Sequence, residues 1–260
     1  NTGTTFSARL DTGNVPKDDI EFVARPGWIG PRFFDGQTNI AGLVIDGPGR
    51  VRAPNSRNIP SALLKLQLEG IVNGDHDIAY ERKPTTFQPE MPAFGIWIIL
   101  DFGRQVGVNR LRFYPRNTVE ATPQTPYEDD FLRGFELWIN PEMTNSAEGL
   151  PDVLVARRPD NDDTVVEIDI DPRYVRLVKL RSLTETPFEI DELEVIGFGY
   201  MSRGTWISDL IDLGGRATVG PVRWRESVVG EEAFSNIQVR VRTGDDDTPL
   251  RFERRAAAEG

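Results

Sequence analysis

The sequence predicts an all-β protein, a jelly-roll antiparallel β-sandwich with an extended N-terminal segment and a C-terminal β appendage. Two observations carry this. Apolar residues alternate with polar ones in many short runs, the mark of strands with one dry and one wet face. Gly (24) and Pro (19) recur every few positions along the 260 residues, as short strands joined by turns require. No capped amphipathic stretch of helical length stands out, so helices are not expected.

Residues 1–47 read as an extended lead-in, polar and turn-rich at first. Trp28, Phe33 and Phe34 then supply apolar side chains that pack on the main body or on a partner. Residues 48–200 read as the sandwich. "GRVRAPN" is a short strand, and "ALLKLQL" alternates Leu64, Leu66 and Leu68 against Lys65 and Gln67. "FGIWIIL" at 94–100 is apolar on both faces, as a central strand is. "RLRFYPRN" sets Leu111 and Phe113 against Arg110, Arg112 and Tyr114. "FELWIN" sets Phe135, Leu137 and Ile139 against Glu136 and Asn140, and "TVVEIDI" turns Val166, Ile168 and Ile170 inward. "YVRLVKL" and "ELEVIGF" close the set. Residues 201–260 read as three further strands ("WISDLIDLGG", "VRWRES", "NIQVRVRTG") and a charged tail. About 60 residues bury little surface alone, so this part is expected to lean on the sandwich.

Composition narrows the function. A net charge of −11 repels phosphate backbones and anionic lipid, which excludes nucleic acid as the expected partner. Without Cys there is no disulfide framework, thiolate nucleophile or Cys metal site. No apolar run approaches the ~20 residues that a spanning helix needs. Nucleotide-binding glycine motifs, a nucleophile elbow and a His-based zinc motif are all missing from the sequence.

"IVNGDHDIAYERK" at 71–83 resembles the loop written Asp-Gly-Asp-x-x-Thr-x-Trp in discoidin-like, or galactose-binding-like, domains. Asn73 stands for the first Asp, Ile78 for the Thr and Tyr80 for the Trp. "WIILDFG" resembles the Trp-x-x-x-Asp-Leu-Gly strand of that family, and "VNRLRFYPR" the strand after it. "YVRLVKL" and "IDELEVIGF" resemble two later strands. The resemblance covers about residues 48–200. It implies a β-sandwich used mostly outside the cytoplasm, largely non-catalytic, binding glycans, lipid headgroups or proteins through loops at one end. Many members hold a structural calcium ion. With such a fold, a chain beginning at Asn1 is expected to be an exported protein, periplasmic or extracellular, whose signal has been removed.

The candidate site residues follow. Asn73, Asp75 and Asp77 alternate around Gly74, and oxygen ligands at that spacing can wrap Ca²⁺. The same residues equally make a turn that caps its own backbone. Glu192 resembles the position from which related domains bring a distant carboxylate. His76 and Tyr80 in the same loop, with Arg112, Tyr114 and Arg116 on one strand, form a candidate ligand surface, because Arg forks and rings recognise carboxylates and stack on sugars. The alternative for the Arg residues is a cross-strand ladder with acids. His76, the lone His, has no nucleophile beside it, so no catalytic residue is assigned and the chain is not expected to be an enzyme. The acids at 128–130, 160–163 and 245–247 read as solvated turns.

The expected function is a non-catalytic interaction or scaffold protein, an accessory subunit at a surface or on the periplasmic side of a membrane complex, with other proteins as partners. The alternatives are a carbohydrate-binding module, with a glycan partner, and an accessory domain of a secreted enzyme.

Overall fold

The computed structural model describes residues 19–22, 27–56, 58–76, 78–86, 89–117, 127–141, 152–215 and 218–244. Residues 15–206 form one compact unit, and 1–14 with 207–260 form another. The strands of the first unit are β1 (Ile20–Glu21), β2 (Gly30–Pro31), β3 (Phe33–Asn39), β4 (Arg50–Arg52), β5 (Tyr80–Arg82), β6 (Trp97–Tyr114), β7 (Phe135–Asn140), β8 (Val153–Arg158), β9 (Val166–Ser182), β10 (Phe188–Ile190) and β11 (Glu192–Tyr200). Two helices, α1 (Leu43–Asp46) and α2 (Ser61–Gly70), lie between them.

Two long strands organise the sandwich. "WIILDFG" and "VNRLRFYPR" read as separate strands but run together as β6, and "TVVEIDI" and "YVRLVKL" run together as β9. Both change register where they bend. Asp101 pairs with Leu177 and Val106 with Val175, so four residues of β6 oppose one of β9. Gly103 sits in this bulge at φ +69°, and a Cβ there would lie 2.7 Å from the Pro48 carbonyl oxygen. The site therefore demands glycine. Asp101 pins the bend by accepting from the Gly103 N–H at 2.9 Å and from Arg176 Nε at 2.8 Å. A second shift, after Val108, changes the parity of the buried positions from Val106 and Val108 to Leu111 and Phe113. Opposite it lies Pro172, which has no N–H to give the ladder and is tolerated where pairing is interrupted.

The first half of β6 and the second half of β9 thus belong to one layer. There β4 pairs with β6 at Ile99–Asp101, and β9 continues to β7 and β8. The other halves belong to a second layer, in which β6 pairs with β11 and β11 with β3. All these pairings are antiparallel. Phe113 from the second layer meets Phe135 of β7 edge-on, with ring centroids 5.0 Å apart, and both are fully buried in the single core. β7 is buried on both faces, with Glu136 and Asn140 covered as well as Phe135, Leu137 and Ile139.

Three expectations are corrected. "ALLKLQL" is helix, not strand. Leu64 and Leu68, read as alternation, also stand one helical turn apart and face the core. The segment is built from good helix formers and follows Pro60. Second, the lead-in is not merely extended. β3 pairs with β11 at the edge of the second layer, Phe34 is core and Phe33 is exposed. Third, the strands expected after Met201 do not form among the described residues of the second unit. Those residues contain an isolated bridge position at Ile207 and a 3₁₀ turn at Glu232–Phe234. Ile237, Val239 and Val241 alternate as expected yet are exposed, and among the described residues no strand pairs with them. The tail beyond residue 244 and the lead-in before 19 lie outside the described residues.

Replacing Phe135 with Ala removes the ring that joins the layers, and it should cost about 3–5 kcal/mol in a denaturant titration. A loss below about 1 kcal/mol would show that the layers do not depend on this contact.

Candidate functional site

The site forms where three strands end or begin together. β11 starts at Glu192 opposite Tyr114, the last residue of β6, and Phe113 faces Val166, the first of β9. Asp191 occupies the corner between β10 and β11, where its N–H donates to the Tyr114 carbonyl at 2.8 Å.

The loop after α2 is fastened to this corner. Ile71 and Val72 are buried, and the Ile71 carbonyl accepts from the Leu193 N–H at 2.7 Å. The Gly74 N–H donates to Glu192 Oε1 at 2.8 Å. His76 Nδ1 lies 2.6 Å from Asp191 Oδ2. The Asp75 N–H donates to Asn73 Oδ1 at 2.8 Å, which is the self-capped turn that Asn-Gly favours.

A cavity of about 220 Å³ opens between these elements. His76, Arg112, Tyr114 and Asp191 line it, with Asn117 beyond β6 and Glu128 from the 3₁₀ turn Tyr127–Asp130. Pro115, Thr164 and Val165 complete it. The His76 and Tyr114 rings are 6.2 Å apart, and the Arg112 guanidinium lies 5.0 Å from the Tyr114 ring centre. Tyr114 donates its hydroxyl to Glu194 Oε1 at 2.7 Å, and Arg112 pairs with the other oxygen of Glu194 at 3.5 Å.

The electrostatics follow from burial. The hydrogen bond to Asp191 holds the His76 imidazole above its ordinary pKa. Burial pushes Asp191 up, against the pull of His76. Burial pushes Glu192 up to about 7, with the Gly74 N–H opposing. Two buried oxygens here, Asp191 Oδ1 and Glu192 Oε2, have no hydrogen-bond partner among the described residues. Tyr114 is raised, first by burial and then by Glu194.

The structure brings His76, Arg112 and Tyr114 together in the cavity lining, with Asn73, Asp75 and Glu192 in or beneath the loop. It corrects two ligand-surface residues. Tyr80 is fully buried, its hydroxyl paired with Ser56, because its strand alternation turns it into the core beside Phe188. Arg116 points away from the cavity into an ion network. It donates to Glu189 (Nε to Oε1 at 3.0 Å) and pairs with Glu81, and Lys83 reaches Glu189 at 2.6 Å. Burial alone would raise the Glu189 carboxyl, and the bonds from Arg116 and Lys83 outweigh it and hold it low. The Arg116 guanidinium also covers the Tyr127 ring at 3.9 Å, so it secures the 3₁₀ turn that carries Glu128. Asp77 lies outside the described residues. Among the described residues, no group of three or more His, Asp or Glu side chains is placed to hold a metal ion. Asn117, Glu128, Thr164 and Val165 carry no signal in the sequence that joins them to this site; Glu128 is exposed, as a residue of a solvated turn is, and also lines the cavity. Asp191 was visible only as the neighbour of Glu192 in "IDELEVIGF".

No protein-family model and no curated protein matches the chain. Solved structures similar to it include carbohydrate-binding modules. One is CpGH89CBM32-5 from Clostridium perfringens, in complex with GalNAc-β-1,3-galactose (15% identity, 57% of this chain, 94% of that one, TM-score 0.41). Another is chitosan-binding module 1 of a chitosanase/glucanase from Paenibacillus sp. IK-5 (14%, 62% and 99%, TM-score 0.41). A third is a fucose-binding module from Streptococcus pneumoniae (18%, 64% and 99%, TM-score 0.36). At TM-scores below 0.5 these likenesses carry no functional argument. Among the described residues, no helix is long and apolar enough to cross a membrane.

The buried Glu192 carboxyl predicts a pH effect. Its folded pKa, about 7, exceeds the ordinary 4.5. Its neutral form therefore supports the fold fully below about pH 4.5, and that support is lost as pH rises towards 7. Glu192→Gln should remove the loss, gaining on the order of 3 kcal/mol over the parent at pH 8 relative to pH 4 when divalent cations are chelated. Thermal melts at the two pH values measure this, and parallel shifts of both proteins would contradict it.

Proposed function

We propose that this chain is a non-catalytic carbohydrate-binding module that acts outside the cytoplasm and seats one sugar residue in the cavity beside His76. The single observation that carries this is the lining of that 220 Å³ cavity. Donors (Arg112 and Asn117), acceptors (Asp191 and Glu128) and a ring (Tyr114) converge there. A sugar residue presents alternating hydroxyl donors and acceptors around a ring with an apolar face. A small concave site with a few fixed polar groups and an aromatic surface matches that chemistry, and the volume lies below the roughly 300 Å³ at which drug-sized pockets begin. Buried Asp191 holds His76 in place, so ligand binding need not order that ring. In isothermal titration against a panel of neutral and charged oligosaccharides, His76→Ala and Arg112→Ala should each weaken binding about ten-fold or more, the scale of one well-placed polar contact. Binding left unchanged in both variants, or no binding to any sugar by the parent, would exclude this cavity.

Calcium belongs to the same proposal. Glu192 Oε2 is a buried oxygen without a partner among the described residues, which supports Glu192 as a ligand together with the loop at Asn73, Asp75 and Asp77. Asn73 Oδ1 is already engaged by the Asp75 N–H, so its backbone carbonyl is the better donor. Millimolar Ca²⁺ should raise the melting temperature of the parent by several degrees and leave Glu192→Gln unmoved. Equal shifts in both would remove Glu192 from the site.

A second reading, an accessory subunit held by protein partners, is favoured by residues 207–244. Trp224 and Phe234 are 54% and 87% exposed there, and exposed large apolar groups mark interaction surfaces. Recovery from the native source in fixed ratio with other proteins, abolished by Trp224→Ala with Phe234→Ala, would support it. Recovery of the protein alone would count against it.

A further inference from the structure

We infer that Asn73 and Gly74 form a self-modifying site, in which the Gly74 nitrogen displaces the Asn73 side-chain amide as ammonia and leaves aspartate or isoaspartate at position 73. This chemistry needs no ligand in the cavity and no cofactor.

The reacting groups are already arranged for it. Such a cyclisation needs an unhindered nucleophile, an acceptor for its proton and a donor to the oxygen on which charge grows. Asn73 and Gly74 are both exposed. Gly74 stands at φ +75°, and a Cβ there would meet nothing within 4 Å, so nothing obstructs ring closure on that side. The Gly74 N–H donates to Glu192 Oε1 at 2.8 Å. Glu192 is 1% exposed, and hydrogen bonds to a carboxylate shielded from water are stronger than those in solvent. This bond runs along N–H in the peptide plane, which leaves the face of the nitrogen for attack. Asn73 Oδ1 accepts from the Asp75 N–H at 2.8 Å. That bond draws electron density from Cγ and is in place before the oxygen becomes an oxyanion.

The step balances within these residues and water. The Gly74 nitrogen bonds to Asn73 Cγ as its proton passes to Glu192 Oε1. The Cγ–Nδ2 bond then breaks, and Nδ2 takes up that proton and leaves as ammonia. Water opens the resulting five-membered ring at either carbonyl. Aspartate adds a negative charge to the loop that carries His76. Isoaspartate lengthens the backbone between two fastenings of that loop, the Ile71 carbonyl and the Gly74 N–H.

Asn55 shows the opposite arrangement. It too precedes a small residue, Ser56, but its Nδ2 donates to the Gly95 carbonyl at 2.6 Å and its Oδ1 accepts from the Trp97 N–H at 3.0 Å. The Ser56 N–H is held by the Ala53 carbonyl at 3.1 Å, which is no base.

The test is peptide mapping by mass spectrometry after incubation at pH 8 with divalent cations chelated, the protein being either folded or held unfolded in guanidinium chloride. Exchange of ammonia for water at Asn73 should run about ten-fold faster in the folded protein than in the unfolded chain, a modest share of what a placed base supplies. Glu192→Gln, which keeps the side-chain shape but cannot take the proton, should bring the folded rate down to the unfolded one. Asn55 should stay intact in the folded protein. A folded parent that converts Asn73 no faster than the unfolded chain overturns the inference, as does an unchanged rate in Glu192→Gln or conversion of Asn55 as fast as Asn73. The comparison within the parent decides the matter even where the variant fails to fold.

Discussion

The corner from Asp191 to Leu193 is the constraint on which the functional end depends. Three consecutive residues there do different work. The Asp191 N–H closes onto β6 at Tyr114, and its side chain holds His76. Glu192 accepts the Gly74 N–H, and the Leu193 N–H holds the Ile71 carbonyl. The loop from 71 to 76 has few apolar anchors beyond Ile71 and Val72, so these bonds fix its path. Carboxyls in so covered a place are costly. The protein retains two of them side by side, each with a buried oxygen that has no hydrogen-bond partner among the described residues.

That corner exists because β6 and β9 bend. A flat pair of 18 and 17 residues would serve a single layer. The bulge at Gly103, held by Asp101 and Arg176, and the second shift opposite Pro172 let both strands pass from one layer into the other. The sandwich is thus stitched by covalent continuity as well as by side-chain packing. The phase change between Val108 and Leu111 puts Arg112 and Tyr114 on the face away from the core, where they can line the cavity.

The acidic excess is also sorted by position. Glu189, inside the body, is neutralised by Arg116 and Lys83, and Glu136 by Arg157 and Arg181. Such pairs do structural work, because leaving a buried carboxylate alone is strongly destabilising. At the cavity the compensation is incomplete. Arg116, which a sequence reading groups with Arg112 and Tyr114, shows the difference well. One residue beyond Pro115, it turns inward to neutralise Glu189 and brace the turn that carries Glu128.

The sequence alone determined the alternating strands, because period-2 burial is a local property: Leu111 and Phe113, or Phe135, Leu137 and Ile139, face the core in the structure as their spacing requires. It also determined the loop around Asn73 and Gly74, whose turn chemistry is local. Tertiary structure decided the rest, for identifiable reasons. Leu64 and Leu68 satisfy both a period of two and one helical turn, and only the packing against the core selects the helix. Tyr80 carries an apolar ring with a polar tip, and the fold alone decides how far it is buried. The alternation of Ile237, Val239 and Val241 is a strand pattern that forms no strand among the described residues, since a ladder needs a neighbour to accept its hydrogen bonds. Asp191 and Glu128 are 63 positions apart in the chain. No spacing rule joins them, and the cavity lining they share arises only when β6, β9 and β11 meet.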